Sequence, residues 1–157
     1  AVDPWFIASA MDDKARLIRE ARWINSGRTR QVVRKVLDKL EAGKGSIRSI
    51  ACFGLSYKPN IDDVRESPAI EVVSYLAKEL PLSHPEVRLS VVEPFLEAMP
   101  KRFADFPDVK KIGIEDGLDA DMIVLLVDHR QFKDIPASRV AGKALVDTRG
   151  VWTDRRA

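Results

Sequence analysis

The run Ile50-Ala51-Cys52-Phe53 carries no charge and stops at Gly54. A short apolar run with no polar face reads as a strand buried on both sides, and strands of that kind belong to parallel sheets covered by helices above and below. The residues that follow narrow the choice. Residues 56–66 form a polar loop with one Lys, one Arg and three acids, and the loop ends at Ser67-Pro68. Ser is a favoured N-cap, and Pro suits the first helical position, where its preset φ fits and its missing N–H costs nothing. Strand, charged loop and helix in that order make a ligand crevice at the carboxyl end of a parallel strand.

The same alternation continues downstream. Residues 47–53 are the first strand and residues 68–80 a helix with Ile70, Val73, Leu76 and Ala77 on one face, followed by the loop Pro81-Leu82-Ser83-His84-Pro85. A second strand over 87–92 ends at Glu93-Pro94, a short helix is expected over 96–103, and 109–114 is a weak third strand. Residues 122–127, all apolar, give the strongest strand signal and end at Asp128-His129-Arg130; a short helix over 131–135 leads to a last strand at 144–146, before Asp147-Thr148-Arg149-Gly150. Upstream, Leu17, Ala21, Ile24, Val32, Val36 and Leu40 recur mostly three or four apart, so a long helix starts at a cap on Asp12 or Asp13 and stops at Gly43-Lys44-Gly45. Ser26-Gly27 in its middle is the place for a kink or a break, since Gly costs about 1 kcal/mol relative to Ala there. The expected fold class is α/β, a doubly wound, mostly parallel sheet preceded by a long helix.

Composition excludes several functions. A chain of 157 residues with 26 basic and 24 acidic side chains has a net charge of only +2, which gives no general attraction to nucleic acid or to a membrane surface. The arginines of the long helix are interleaved with acids and read as a solvated face or an interface rim. Cys52 is the only cysteine, sits within the apolar run, and reads as a small buried side chain rather than a nucleophile. No apolar run approaches the roughly 18 residues of a membrane span, and the expectation is a cytoplasmic protein. No His, Cys and carboxylate set has metal-ligand spacing, so no metal is expected. Trp5, Trp23 and Trp152 read as core or interface anchors. The opening, Val2-Asp3-Pro4-Trp5-Phe6-Ile7, reads like the interior of a packed protein, and a fragment is expected.

A doubly wound sheet brings its strand ends to one rim. The candidates there are Tyr57, Lys58 and Arg65 after the first strand, Glu93 after the second, Asp128 and His129 after the fourth, and Arg149 after the last. Lys and Arg side chains aimed at one crevice suit a phosphate or pyrophosphate, and Tyr57 offers a ring for a base or sugar. The alternative reading makes Lys58 a solvated loop residue and pairs Arg65 with Asp62, Asp63 or Glu66 to hold the loop. His129 is read more readily as a residue that caps or packs, and His84 as exposed. The dinucleotide fingerprint of three spaced glycines is missing from the turn after the first strand, so fold class alone does not imply NAD binding here.

GLSYKPNIDDVRESPA, at residues 54–69, resembles the C-terminal signature of the nucleotide-sugar 6-dehydrogenases, the family of the UDP-glucose and GDP-mannose dehydrogenases. AVDPWFI at 1–7, LVDHRQFK at 126–133 and VDTRGVW at 146–152 are similar to its UDP-N-acetyl-D-mannosamine dehydrogenase branch. The resemblance implies a division into residues 1–45, the end of a catalytic-loop region and a central dimerisation helix, and residues 46–157, a Rossmann-like domain that binds the UDP end of a UDP-sugar.

By that resemblance Tyr57, Lys58 and Arg149 are substrate-binding, Arg65 lies on the NAD side of the cleft, and this chain carries no catalytic residue. The family's catalytic cysteine would fall just before Ala1, the catalytic lysine and the NAD-binding N-terminal domain would also lie outside the chain, and the chain alone would be inactive. The whole protein would oxidise the sugar C6 alcohol to a carboxylate in two hydride transfers to NAD⁺, through a thioester on that cysteine, for surface polysaccharide synthesis. A homodimer through the long helix is implied. Another UDP-sugar dehydrogenase, acting on UDP-glucose or UDP-N-acetylglucosamine, and a non-catalytic nucleotide-binding or dimerisation module stand as alternatives.

Overall fold

Strand β1 (Ser49–Phe53) lies at the centre of a five-stranded, wholly parallel sheet of order β3-β2-β1-β4-β5, where β2 is Arg88–Val92, β3 Lys110–Ile112, β4 Met122–Leu125 and β5 Ala144–Asp147. The computed structural model describes residues 15–153. The helices are α1 (Arg16–Ala42), α2 (Pro68–Ser83), α3 (Ile114–Leu118) and α4 (Arg130–Lys133), with single 3-10 turns at Lys101–Phe103 and Ala137–Arg139.

Alternation along the strands divides the core in two. Ile50 and Cys52 join Leu89, Val91, Met122 and Val124 on the face covered by α1 and α2, through Val33, Val36 and Leu40 of the first helix and Ile70, Val73 and Leu76 of the second. Ala51 and Phe53 join Ile123 and Leu125 on the opposite face, against Leu118, Phe132, Ile135, Val140 and Trp152. Phe53 meets Phe132 and Trp152 edge to face, with centroids 5.1 and 5.7 Å apart. The chain winds outward from β1 to β3 and then returns to place β4 on the other side of β1. The order therefore reverses between β1 and β4, and a crevice opens beyond their carboxyl ends. Gly54 stands at that point with φ +92°, and a Cβ there would overlap Val127, so the turn demands glycine both for its backbone angle and for its space.

Several local expectations are corrected. The long helix runs through Ser26-Gly27 without a break; the expected cap at Asp12 or Asp13, and Trp5, lie outside the described residues. Helix α2 continues past Pro81 to Ser83, because a proline in the last turn keeps a helical φ while His84 N–H still closes onto the Leu80 carbonyl at 2.7 Å. His84 is half-buried rather than exposed. The helix expected over 96–103 shrinks to one 3-10 turn, since Pro100 biases Met99 away from helical backbone. Residues 114–118 form α3, where the sequence pattern gives no helix. Its Gly117 breaks the local helical signal but lets α3 press directly on Phe53 and Val92, where a Cβ would clash. Trp152 is fully buried and donates its Nε1–H to the Phe132 carbonyl, whereas Trp23 is exposed.

Candidate functional site

An open cleft of about 1450 Å³ lies between α1 and the carboxyl rim of the sheet. Each wall follows from a local rule. The loop after β1 contributes Ser56, Tyr57 and Lys58 because Gly54 turns the chain out of the sheet between β1 and β4. The start of α2 reaches the cleft at Ser67 and Pro68. There the Ser67 hydroxyl accepts the Ala69 N–H at 3.2 Å and donates to the Ser56 carbonyl, also at 3.2 Å, so one side chain caps the helix and ties the loop to it. The amino end of this 16-residue helix carries positive dipole charge, which favours an anion in the cleft.

Arg149 comes from the turn after β5. Asp147 shapes that turn, its two oxygens accepting the backbone N–H groups of Arg149, Gly150, Trp152 and Thr153 at 2.7 to 3.2 Å. The Arg149 guanidinium then meets Asp128 at 2.8 and 2.9 Å, and Lys133 meets the other oxygen of the same carboxylate at 2.6 Å. Partial burial works to raise the Asp128 pKa, but these two cations outweigh it and hold the carboxyl below its ordinary range. The guanidinium is thereby oriented before any ligand arrives.

Of the residues expected to bind, Tyr57, Lys58 and Arg149 line this one cleft. The Lys58 ammonium stands 6.0 Å from the centroid of the half-exposed Tyr57 ring, so charge and ring form one surface. Arg65 does not line it. Its guanidinium lies in solvent and grips Asp63 at 2.8 and 2.9 Å, and that bond brings the Asp63 carboxyl down to about 2. Glu93 and His129 are fully buried behind the cleft wall rather than on it.

Cys52 is wholly buried, and burial pushes its thiol up to about 12, so it has no thiolate to offer at neutral pH. Among the described residues no group of three or more His, Cys, Asp and Glu is placed to hold a metal ion, and no helix is long and apolar enough to cross a membrane. The turn after β1 makes no glycine cradle for a dinucleotide.

The sequence reading missed the opposite wall. Arg28, Val32 and Lys35 of α1 face the cleft, and the buried Thr29 ties α1 to α2 by donating to Glu71 at 3.3 Å. A signal existed, since Arg28 and Lys35 flank the apolar stripe to which Val32 belongs, but only the packing of the helix against α2 and β5 turns that edge toward the sheet rim.

Residues 51–154 match the model of the UDP-glucose/GDP-mannose dehydrogenase family, UDP binding domain. The NDP-N-acetyl-D-galactosaminuronic acid dehydrogenase of Ralstonia nicotianae is 41% identical over 157 residues, an alignment spanning 99% of this chain and 35% of that protein. The UDP-N-acetyl-D-mannosamine dehydrogenase of Salmonella typhi is 43% identical over 158 residues, with 97% and 36% covered. A solved structure of the UDP-N-acetyl-mannosamine dehydrogenase of S. aureus superposes with a TM-score of 0.72 at 29% identity, covering 96% of this chain and 33% of that one. The chain thus spans about a third of the length of the curated relatives it matches, their C-terminal third. Its fold, its cleft and this match over two thirds of its residues agree, and the chain belongs to the UDP-glucose/GDP-mannose dehydrogenase family as a UDP-binding domain.

Proposed function

We propose that this chain is the substrate-holding part of an NAD-dependent dehydrogenase that oxidises C6 of UDP-N-acetyl-D-mannosamine to the uronate, in the cytoplasm, for surface polysaccharide synthesis. The observation that carries the reading is the meeting of Tyr57, Lys58, Arg149 and the amino end of α2 on one cleft, in a chain whose residues 51–154 match a UDP-binding domain. Lys58 and Arg149 bind the diphosphate and the adjoining sugar, and Tyr57 packs against the nucleotide. Binding energy gathered on the non-reacting UDP holds C6 in register for the reaction.

The chemistry belongs to residues outside this chain. NAD is held by an N-terminal domain, with Arg65 reaching it from the solvent side of the loop, and the catalytic cysteine lies upstream of Ala1. Residues 1–45 serve as the approach to that cysteine and as the dimerisation helix, and the exposure of Leu17, Trp23 and Ile24 on α1 supports such an interface. The Ralstonia relative favours a second reading within the same class, an N-acetylhexosamine of different stereochemistry.

The test restores the missing two thirds and counts NADH per sugar, offering UDP-N-acetylmannosamine, UDP-N-acetylgalactosamine and UDP-glucose in parallel. The expected result is two NADH per UDP-N-acetylmannosamine, and none from this chain alone. Lys58→Ala should weaken substrate use about 10- to 100-fold, the worth of a charge-assisted hydrogen bond. Turnover of UDP-glucose alone would keep the family and discard the branch. No turnover of any nucleotide sugar by the folded, full-length protein would leave a binding or dimerisation module.

A further inference from the structure

Behind the cleft wall, Glu93 is buried with both oxygens engaged. Its Oε2 accepts the N–H groups of Leu55 at 2.7 Å and Ser56 at 3.1 Å, and Oε1 accepts that of Phe95 at 3.0 Å. His129 Nε2 stands 3.1 Å from the same Oε2, and the ring is held between Phe95 and Phe132 with centroids 4.9 and 5.1 Å away.

The other ring nitrogen settles the tautomer. Asn60 N–H points at His129 Nδ1 from 2.8 Å. A backbone N–H can only donate, so Nδ1 presents a lone pair and the ring hydrogen sits on Nε2, directed at Glu93. Asn60 itself adopts φ +63°, and its Oδ1 accepts the Arg130 N–H at 2.8 Å.

These bonds have a common geometry. Leu55 and Ser56 hang on Glu93, Asn60 hangs on His129, and the Ser56 hydroxyl, 3.4 Å from His129 Nε2, donates to the Lys58 carbonyl at 2.8 Å. Tyr57 and Lys58 are the residues strung between the two anchors. A buried carboxylate is costly, and an apolar pair could fill the same space; what an apolar pair could not do is catch backbone N–H groups at both ends of the presenting segment.

We propose that Glu93 and His129 are positioning residues that set where Tyr57 and Lys58 stand in the cleft, with His129 acting as the neutral Nε2–H ring. The role rests on the nucleotide reading above, because it is nucleotide affinity that the positioning serves.

The test separates the two anchors. Asn at position 129 can still accept from Asn60 at the place of Nδ1, whereas Gln can still donate to Glu93 from the place of Nε2. Each variant loses one buried bond, so both should lower the denaturation midpoint similarly. UDP affinity, measured by calorimetry, should divide them: His129→Gln should weaken it about tenfold and His129→Asn no more than about threefold. Equal weakening, or none with His129→Gln, would overturn the proposal.

Nitrogen-15 spectra of the wild-type chain, which has only two histidines, keep the question open to refutation if either variant fails to fold. A bare Nδ1, a protonated Nε2 and a slowly exchanging Asn60 amide at neutral pH support the anchoring. A protonated Nδ1 or a freely exchanging Asn60 overturns it, whatever UDP does. An anchored loop in a wild-type chain that binds no UDP would support the anchoring and defeat the nucleotide reading alone.

Discussion

Two acid–base pairs hold the loop after β1, one inside the molecule and one outside. Glu93 and His129 have no exposed side-chain surface, while Asp63 and Arg65 are 34% and 86% exposed. Both carboxyls titrate below their ordinary values, for opposite balances of cause. Burial is the largest influence on Glu93 and pushes it upward, yet the bonds from His129, Leu55 and Phe95 prevail. Asp63 meets little burial and is lowered chiefly by the Arg65 hydrogen bond. A shared direction of shift thus conceals a difference in structural weight. Removing the inner acid strands three backbone donors, two of them buried, whereas removing a member of the outer pair leaves groups that water can serve.

The largest effect should come from breaking the inner pair. Glu93→Ala is expected to cost about 3 to 5 kcal/mol, the usual range for removing one partner of a buried pair, read as a fall in the urea midpoint at constant m-value. A loss near zero would place the loop's support elsewhere.

Acid should come next. A carboxyl with a folded pKa below its unfolded one stabilises above the unfolded value, near 4.3 for Glu, and the contribution disappears as pH falls through the lowered folded value. The stability that these lowered carboxyls supply should therefore hold down to about pH 5 and decline below it. Because Asp63, Asp121 and Asp128 are also lowered, the share of Glu93 is read by difference: urea midpoints of Glu93→Gln should have a shallower acid limb than wild type, and parallel limbs would remove Glu93 from the account.

The smallest effect belongs to the outer pair. Arg65→Ala should leave the denaturation midpoint of the chain unmoved, and added salt should not lower the wild-type midpoint through this pair, since exposed charges are screened and worth little. In the restored enzyme the same substitution should weaken NAD use if Arg65 serves the cofactor. A clear loss of chain stability instead would make its grip on Asp63 structural.

Residues whose meaning is local were read correctly from sequence. The buried run of β1, the turn at Gly54 and the Ser67-Pro68 helix start each follow from a few neighbouring residues. The pairing of Arg65 with one of three nearby acids was among the readings, and Asp63, two residues away, is the acid it takes. Failures occurred where a distant contact overrode a local signal. The sequence pattern gives no helix at 114–118, and only the fold shows that Phe53 and Val92 require the missing side chain of Gly117 there. The preferred reading of His129 as a residue that caps or packs holds, since the ring is buried between Phe95 and Phe132, but only the fold brings Asn60, 69 positions earlier in the chain, to its Nδ1.

The sequence by itself determined the class of fold, because the period of apolar residues and the chemistry of caps and turns act over one or two helical turns of chain. It also determined, through a long run of matching residues, the resemblance that the family match bears out. Only the tertiary structure decided which side chains share a space. Tyr57, Lys58 and Arg149 meet because the strand order reverses between β1 and β4, and Glu93 reaches Leu55 because β2 lies beside β1 in parallel register. Strand order and register are set by burial summed over the whole sheet, and no short stretch of sequence contains that sum.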